Sequence, residues 1–305
     1  MIIAGCSKSV DISEGSADPS PLERATVTLK GGFEDVETRA YVDDELHLFW
    51  TADDRITVFE GNTYNQEYRY EGKTGDNKAD FNPVTSGGLH SGSDLDTPAY
   101  YAVYPYVKGT SISQKNGLIY YALPSIQQYA DNSFGLGANT MVAVTKDLSD
   151  KYLSFKNICG YVVFKLYGEG AVIKSVTLTS QAGEALAGNA IITASNGSSP
   201  TMAFNDDNSL DPTLTIDCGE GVTLGATSDE AKGFWFVVPP VTLSNGFAVT
   251  FTDINGISVT RTASGSKTVE RNKVFRIPAL KLVFENPNPS FENGIDELDE
   301  TDFEW

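Results

Sequence analysis

Short alternating apolar runs constrain this sequence more than any other feature. In the first of them, Ala25–Lys30, residues Ala25, Val27 and Leu29 fall on one face of an extended strand. No window shows convincing helical periodicity. Further runs of the strand type are Leu46–Trp50, Ile56–Phe59, Tyr100–Tyr104, Leu118–Leu123, Thr140–Val144, Tyr161–Leu166, Val172–Leu178, Ala190–Ala194, Leu214–Ile216, Phe234–Val238, Phe247–Phe251, Ile257–Arg261 and Val274–Phe284.

Turn signals separate these runs at short intervals. Among the Asn-Gly pairs between the later runs, Asn196-Gly197, Asn245-Gly246 and Asn255-Gly256 suit the positive φ angles of hairpin turns. Many short strands at this spacing predict an all-β protein built from β-sandwiches. Strands do not alternate with helices, so a nucleotide-binding α/β fold is excluded.

The chain is long enough for more than one domain. Its 305 residues would make two β-sandwiches, since ordinary domains hold roughly 100–150 residues. The strands fall into two groups, and the expected boundary lies between Asp147 and Ser154. We therefore predict a polar leader and tether over residues 1–22, a sandwich over 23–150, a second sandwich over 151–285 and an acidic tail over 286–305.

The net charge limits the classes of partner that the chain can bind. The formal net charge of −19 excludes a basic nucleic-acid groove, and an anionic membrane surface would repel the chain. The sequence contains no apolar run long enough for a transmembrane helix. Any membrane contact is therefore expected to come through a covalent lipid anchor only.

The N-terminus carries a candidate lipidation site. Ile3-Ala4-Gly5-Cys6 has the small-residue pattern that precedes a lipidated bacterial cysteine, and the polar stretch 7–21 is typical of a flexible tether. A signal peptide needs a longer apolar region than the five residues before Cys6. Either a longer signal extends upstream or the match is accidental. We favour the first and expect Cys6 to be lipidated.

Groups suited to catalysis are scarce. The two histidines are His47, inside a predicted strand, and His90, in a glycine-rich loop. There is no Gly-x-Ser-x-Gly elbow, no phosphate-binding glycine loop, and no histidine near Cys218 in sequence. We therefore predict no enzyme, no catalytic residue and no cofactor. Residues 206–211 carry oxygen ligands but lack the glycine and closing glutamate of an EF-hand, so we expect a polar hairpin loop and no metal.

Two residue pairs leave alternatives open. Trp50 and Trp235 lie in strand patterns, where an indole is either core packing or an exposed platform that stacks on a sugar. Cys159 and Cys218 are either bridged or two free, buried thiols. The sequence pattern alone favours core tryptophans and free thiols.

Several stretches, in the same order, resemble those of the fimbrillin-like proteins of Bacteroides-type bacteria, the type V pilus family. No single stretch is specific, but the ordered set is fairly specific. The matching stretches are Trp50–Phe59 (tryptophan–acid–strand), Tyr100–Tyr106 ("YYAVYP"), Leu123–Gln128 ("LP-x-x-Q"), Leu153–Gly160 ("F-K-N-x-C") and Phe236–Pro240 ("V-P-P").

The resemblance implies a fold and a function. It implies two tandem transthyretin-like Greek-key β-sandwich domains, export as a lipoprotein to the outer membrane, and a role as a fimbrial subunit or cell-surface adhesin. Its partners would be other fimbrial subunits, joined by donor-strand exchange, and an unnamed host or bacterial receptor. The alternative is a surface lipoprotein that binds glycans through exposed aromatic side chains.

The resemblance also implies proteolytic maturation after an arginine that follows the first strand. Arg39–Ala40 fits such a site, and we expect Gly31-Gly32 to break the strand before it. The alternative is that Arg39 is an ordinary loop arginine, since exposed loops are nicked without being processing sites. Cleavage at Arg24 would leave the strand in place. The tail is a departure from the family, because it is short and acidic. Its few apolar residues are Phe291, Ile295, Leu298, Phe303 and Trp305, so self-polymerisation, tip, anchor and free adhesin roles all stay open.

Overall fold

The computed structural model describes residues 27–33, 48–84, 95–113, 115–284 and 296–297. Within these ranges the chain folds into 23 strands, and its one helical segment is the three-residue 3-10 turn Ser228–Glu230. The all-β prediction is therefore confirmed for the described residues. None of their helical structure is long and apolar enough to cross a membrane.

The strands of the first half are listed here in chain order: β1 (Leu29–Phe33), β2 (Arg55–Glu60), β3 (Gln66–Tyr70), β4 (Lys78–Pro83), β5 (Tyr100–Tyr104), β6 (Ser111–Ile112), β7 (Ile119–Leu123), β8 (Ile126–Ala130), β9 (Ser133–Phe134), β10 (Met141–Val144) and β11 (Tyr152–Asn157). Those of the second half are β12 (Gly160–Tyr167), β13 (Val172–Ser180), β14 (Gly188–Thr193), β15 (Thr201–Phe204), β16 (Thr213–Thr223), β17 (Lys232–Val238), β18 (Val241–Leu243), β19 (Phe247–Asp253), β20 (Ser258–Ala263), β21 (Lys267–Val269), β22 (Val274–Lys281) and β23 (Asp296–Glu297).

Seven strands of the first half close into a barrel. Their order around it is β1-β11-β10-β5-β2-β3-β4. All pairs are antiparallel except β1 with β11, which run parallel. Inward-facing aromatic side chains fill the barrel, with Trp50, Tyr68, Phe81 and Phe155 almost fully buried.

A three-stranded sheet, in the order β17-β12-β22, forms the wall between two hydrophobic cores. Successive residues of its central strand point to opposite faces, as the pleat requires. Val162, Phe164 and Leu166 pack in the second core, whereas Tyr161 and Val163 pack in the core that also fills the barrel. The predicted apolar face of β12 is therefore correct, and its other face is apolar as well.

Two of the remaining sheets combine strands from both halves of the chain. One has the order β23-β20-β19-β13-β16-β8-β9 and the other the order β15-β14-β7-β6, whereas the pair β18-β21 lies within the second half. In the first, β8 of the first half lies parallel to β16; in the second, β7 pairs with β14. The change from barrel strands to wall strands lies between β11 and β12. The division into two domains at residue 150 stays a prediction.

Of the three Asn-Gly pairs that were predicted as hairpin turns, two join paired strands. Asn196-Gly197 connects β14 to β15, and Asn255-Gly256 connects β19 to β20, with positive φ angles at both glycines. Asn245-Gly246 was a wrong hairpin prediction, because it links β18 to β19 and these strands pair elsewhere. Its glycine still adopts a positive φ of 77°. The pair therefore forms a turn, but the two strands that it connects do not pair with each other.

A chain of buried amides joins the barrel to the wall. The Asn139 side-chain amide donates to Asn157 Oδ1 at 2.9 Å, and the Asn157 amide donates to Asn272 Oδ1 at 2.7 Å. The Tyr161 hydroxyl donates to Asn139 Oδ1 at 3.0 Å. All four side chains are buried, so losing any one would leave a desolvated polar partner behind.

Gln127 fastens β8 to the edge of the wall. Its amide nitrogen donates to the Val237 carbonyl at 2.7 Å, and its amide oxygen accepts the Val237 backbone N–H at 2.9 Å. The side chain thus makes the pair of bonds that a neighbouring strand would make to β17. It is almost fully buried, so water does not compete for these bonds.

Replacing Gln127 with alanine should lower the free energy of unfolding by about 1–3 kcal/mol. The physical reason is that the Val237 N–H and carbonyl would stay buried without partners. Urea denaturation of the wild type and Q127A measures the change. The matched control is Gln128→Ala, since Gln128 is exposed and should change stability little. Equal losses of unfolding free energy in the two variants would contradict a specific stabilising role for the Gln127 hydrogen bonds to Val237.

Candidate assembly site around the first strand

The first strand of the barrel is held on both sides. β1 runs parallel to β11, with Phe33 opposite Phe155, and antiparallel to β4, with Leu29 opposite Phe81. Leu29 is fully buried, and Phe33 is partly buried against the same core. An inward face of Leu29, Gly31 and Phe33 therefore closes the barrel wall, while Lys30 points outward.

The predicted break at Gly31-Gly32 is wrong, because β1 continues through both glycines to Phe33. Glycine inside a strand often marks a place where neighbouring groups approach the backbone closely. A Cβ at Gly31 would lie 2.7 Å from Cε2 of Phe81, and one at Gly32 would lie 2.2 Å from the Tyr152 hydroxyl. The two glycines are therefore explained by the aromatic rings of the neighbouring strands rather than by a turn.

Trp50 packs at the centre of the aromatic cluster under β1. Its ring stacks on Phe33 with centroids 4.6 Å apart and meets Phe81, Tyr104 and Phe155 edge-on at 5.0, 5.6 and 5.3 Å. These are the preferred geometries for aromatic pairs. Because the indole is 0% exposed, it cannot serve as a sugar platform.

Trp235 is not a sugar platform either. Its side chain is 8% exposed and belongs to the barrel-side core. The Arg276 guanidinium carbon lies 5.8 Å from the ring centroid, which is within the range of a cation–π contact. The core-packing alternative for both tryptophans is therefore the correct one.

The turn after Trp50 is built around Asp54. Its Oδ2 accepts the Thr51 backbone N–H at 2.7 Å, and its Oδ1 accepts the Tyr104 hydroxyl at 3.0 Å. Burial raises the pKa of the carboxyl to about 6, against the opposing effect of these two hydrogen bonds. The same burial, with the charge of Asp54, raises the pKa of Tyr104 well above its ordinary value. The Asp54–Tyr104 hydrogen bond thus links the tryptophan–acid motif to the "YYAVYP" strand.

Cys159 and Cys218 are both free and buried. They lie in different cores, Cys159 in the barrel-side core and Cys218 in the second one. Burial raises the pKa of each thiol to about 12, with the nearby Asp217 carboxylate adding to the effect at Cys218. Neither thiol is activated for nucleophilic chemistry.

Residues 206–211 form a polar loop between β15 and β16. The Asp207 carboxylate accepts the Ser209 N–H at 2.8 Å, and the Asp211 carboxylate accepts the Thr213 N–H at 2.9 Å. These acids therefore cap turns. No group of three or more His, Cys, Asp or Glu side chains that could hold a metal occurs in the part of the chain that the structure describes.

Several residues singled out from the sequence lie outside the described ranges. They are Cys6, Arg24, Ala25, Arg39, Ala40, His47, His90, Phe291, Ile295, Leu298, Phe303 and Trp305. The lipidation of Cys6 and the processing site at Arg39–Ala40 therefore stay predictions. Arg39 follows the last residue of β1, Phe33, by a short segment of chain.

No protein-family model matches the sequence, and no curated protein matches it. Solved structures with a similar chain trace are candidate cell adhesion proteins and fimbrial proteins. A candidate cell adhesion protein of Bacteroides ovatus has a TM-score of 0.49 and 15% identity, over 85% of this chain and 93% of that one. The tip fimbrial protein of Porphyromonas gingivalis, truncated at its C-terminus, has a TM-score of 0.35 and 11% identity, over 84% and 95%.

A fimbrial assembly protein of Parabacteroides distasonis is similar at a TM-score of 0.33 and 12% identity, over 84% of this chain and 91% of that one. These three neighbours are named as cell adhesion or fimbrial proteins, which is the kind of protein that the ordered sequence motifs resemble.

Sequence reasoning missed the side chains that shape the site. Phe81 lies in β4 and Tyr152 in β11, and neither strand was among the predicted runs. One signal was present: Leu29, Gly31 and Phe33 share the parity of a single strand face. The large residues on both sides of the glycines are compatible with a continuous strand. The prediction gave more weight to the low strand propensity of glycine.

Titration of Asp54 should make the protein less stable as the pH rises from about 4 to about 6. The folded-state pKa of about 6 lies above the ordinary value of 3.8, so the folded state binds the proton more tightly than the unfolded state. Stability is therefore lost as the proton leaves, by up to about 3 kcal/mol. Thermal melts of wild type and Asp54→Asn across this pH range measure the effect.

The informative quantity is the difference between the two proteins, because other carboxylates also titrate. The advantage of D54N over wild type should grow as the pH rises. Asp53→Asn is the matched control, since Asp53 is the exposed neighbour in the same turn. Parallel pH curves for wild type and D54N would show that Asp54 does not titrate in this range.

Proposed function

We propose that this chain is a fimbrial subunit or adhesin of the bacterial cell surface, exported as a lipoprotein to the outer membrane and matured by cleavage between Arg39 and Ala40. Its two halves would correspond to tandem transthyretin-like Greek-key sandwiches. Its partners would be other fimbrial subunits, joined by donor-strand exchange. The observation that carries the proposal is the position of β1, a short barrel strand that directly precedes the candidate cleavage segment.

The energetics of β1 suit a removable strand. Full burial of a leucine such as Leu29 contributes about 1.5–3 kcal/mol, and Phe33 adds its stacking on Trp50. Such contributions are a large share of the roughly 5–15 kcal/mol that stabilises a typical domain. Loss of β1 would also expose the backbone edges of β4 and β11. An incoming strand restores both the hydrogen bonds and the buried contacts.

The glycan-binding alternative has lost the observation that suggested it. It depended on exposed aromatic platforms at Trp50 and Trp235, and both side chains are buried in the core. Substituting either tryptophan with alanine would test core packing rather than sugar binding. The adhesive role is therefore the only function that we carry forward.

Cleavage at Arg39 is tested by limited digestion of the folded protein with an arginine-specific protease. We expect the first cut between Arg39 and Ala40, followed by a lower melting temperature, because β1 is then held by noncovalent contacts alone. N-terminal sequencing of the large fragment identifies the cut, and calorimetry measures the melting temperature.

Arg39→Ala should resist the first cut and keep its melting temperature, whereas Arg24→Ala should behave as wild type. The reason is that a cut at Arg24 leaves β1 attached to the rest of the barrel. If the folded protein is cut elsewhere first, with Arg39–Ala40 intact, the maturation proposal fails.

Lipid attachment at Cys6 is tested in cells that express the gene with its upstream region. Labelled palmitate should enter the protein and carry it into the detergent phase, since several acyl chains anchor a protein stably where one does not. Cys6→Ser should abolish both signals, while Cys159→Ser should keep them. Unchanged labelling of C6S would disprove anchoring at this residue.

A further inference from the structure

We infer that the β1 groove selects an incoming strand that carries glycine between two large apolar residues on its inward face. Phe81 is the side chain that imposes this selection, and Phe155 packs beside it. The chain's own C-terminal segment does not meet the requirement. The inference rests on the proposed replacement of β1 and adds the partner's chemistry to it.

Along its inward face, β1 carries a large apolar side chain, then a glycine without a side chain, then an aromatic side chain. Leu29 is fully buried, Gly31 has no side chain, and Phe33 stacks on Trp50. A Cβ at the position of Gly31 would lie 2.7 Å from Phe81 Cε2 and 3.4 Å from Phe155 Cε2. Carbon atoms in favourable contact stay about 3.5–4.0 Å apart, so the Phe81 ring already takes the volume that a side chain would need, and Phe155 lines the same space at contact distance.

The two rings have little freedom to move aside. Phe81 is 0% exposed and Phe155 is 1% exposed, and both pack against Trp50 at ring distances of 5.0 and 5.3 Å. Protein interiors are packed closely enough that an added methylene forces neighbours off their preferred conformations. Glycine at this position is therefore a requirement for any strand that fits the groove in the place of β1.

The outward face imposes no such limit. A Cβ at Gly32 would meet the Tyr152 hydroxyl, but Tyr152 is 47% exposed. Its ring can rotate into solvent at little cost, because the contact is with the far end of a surface side chain. Gly32 is therefore a matched control for Gly31, on the same strand and facing the opposite way.

The tail of this chain does not supply the required pattern in either direction. Its one glycine, Gly294, is flanked on the same strand face by the acids Glu292 and Asp296. The part of the tail that the structure describes also lies elsewhere, since Asp296–Glu297 pairs with Arg261 and Thr262 of β20. The occupant is therefore a strand with the pattern large apolar–x–Gly–x–aromatic, which the stretch 289–299 lacks.

The test uses the full chain after cleavage at Arg39 and four fluorescent peptides. They are the β1 sequence over 26–33, its Gly31→Val and Gly32→Val versions, and the tail sequence over 289–299. Fluorescence anisotropy measures binding. We expect the β1 peptide to bind, Gly31→Val to bind at least about tenfold more weakly, Gly32→Val to stay within about threefold, and the tail to bind as weakly as Gly31→Val.

A second measurement tests the packing without strand exchange. In the uncut full chain, Gly31→Ala should lower the melting temperature, and Phe81→Leu should make that loss smaller by giving space to the added methyl group. A double-mutant cycle over these variants gives the coupling between the two positions. Additive effects, with no rescue by Phe81→Leu, would overturn the role of Phe81.

The remaining outcomes are distinguishable. If the β1 and Gly31→Val peptides bind equally, the glycine requirement is wrong while strand replacement stands. If the tail peptide binds as tightly as the β1 peptide, the required pattern is wrong, because the tail lacks it. If even the β1 peptide does not bind, strand replacement itself fails, and this inference fails with it.

Discussion

The fold depends on β12, a strand that is apolar on both faces. Most half-buried strands alternate apolar and polar residues, but a strand enclosed on both sides reads as a continuous apolar run. Val162 and Phe164 enter one core while Tyr161 and Val163 enter the other. Each core therefore needs the same strand in place before it can close, which couples the barrel to the second half of the chain.

Polar contacts then fix how the elements meet. The motifs that look independent in the sequence prove to be partners in space: Asp54 binds Tyr104, and Gln127 binds the backbone of Val237. Asn157, from the fourth motif (Leu153–Gly160), lies in the middle of the buried amide chain. Buried polar pairs of this kind discriminate between alternative packings, because a misplaced element leaves donors and acceptors unsatisfied.

Local pattern predicted most of the strands but not their partners. The runs around Tyr100, Val163 and Val249 became β5, β12 and β19, since alternation reports burial directly. β3 was missed because Tyr68 and Tyr70 alternate with charged residues in a polar stretch. The parallel pairing of β8 with β16 joins segments far apart in sequence. No local signal encodes such a contact, and β1 shows that distant rings can override the local preference of glycine.

The two-sided pairing of β1 also bears on mechanical load. A strand at the edge of a hairpin, pulled from one end, loses its hydrogen bonds one after another. β1 is bonded along its length to both β4 and β11, so tension along its axis must shear all of these bonds together. A tether attached to the end of this strand would therefore transmit force into the barrel before the strand slips.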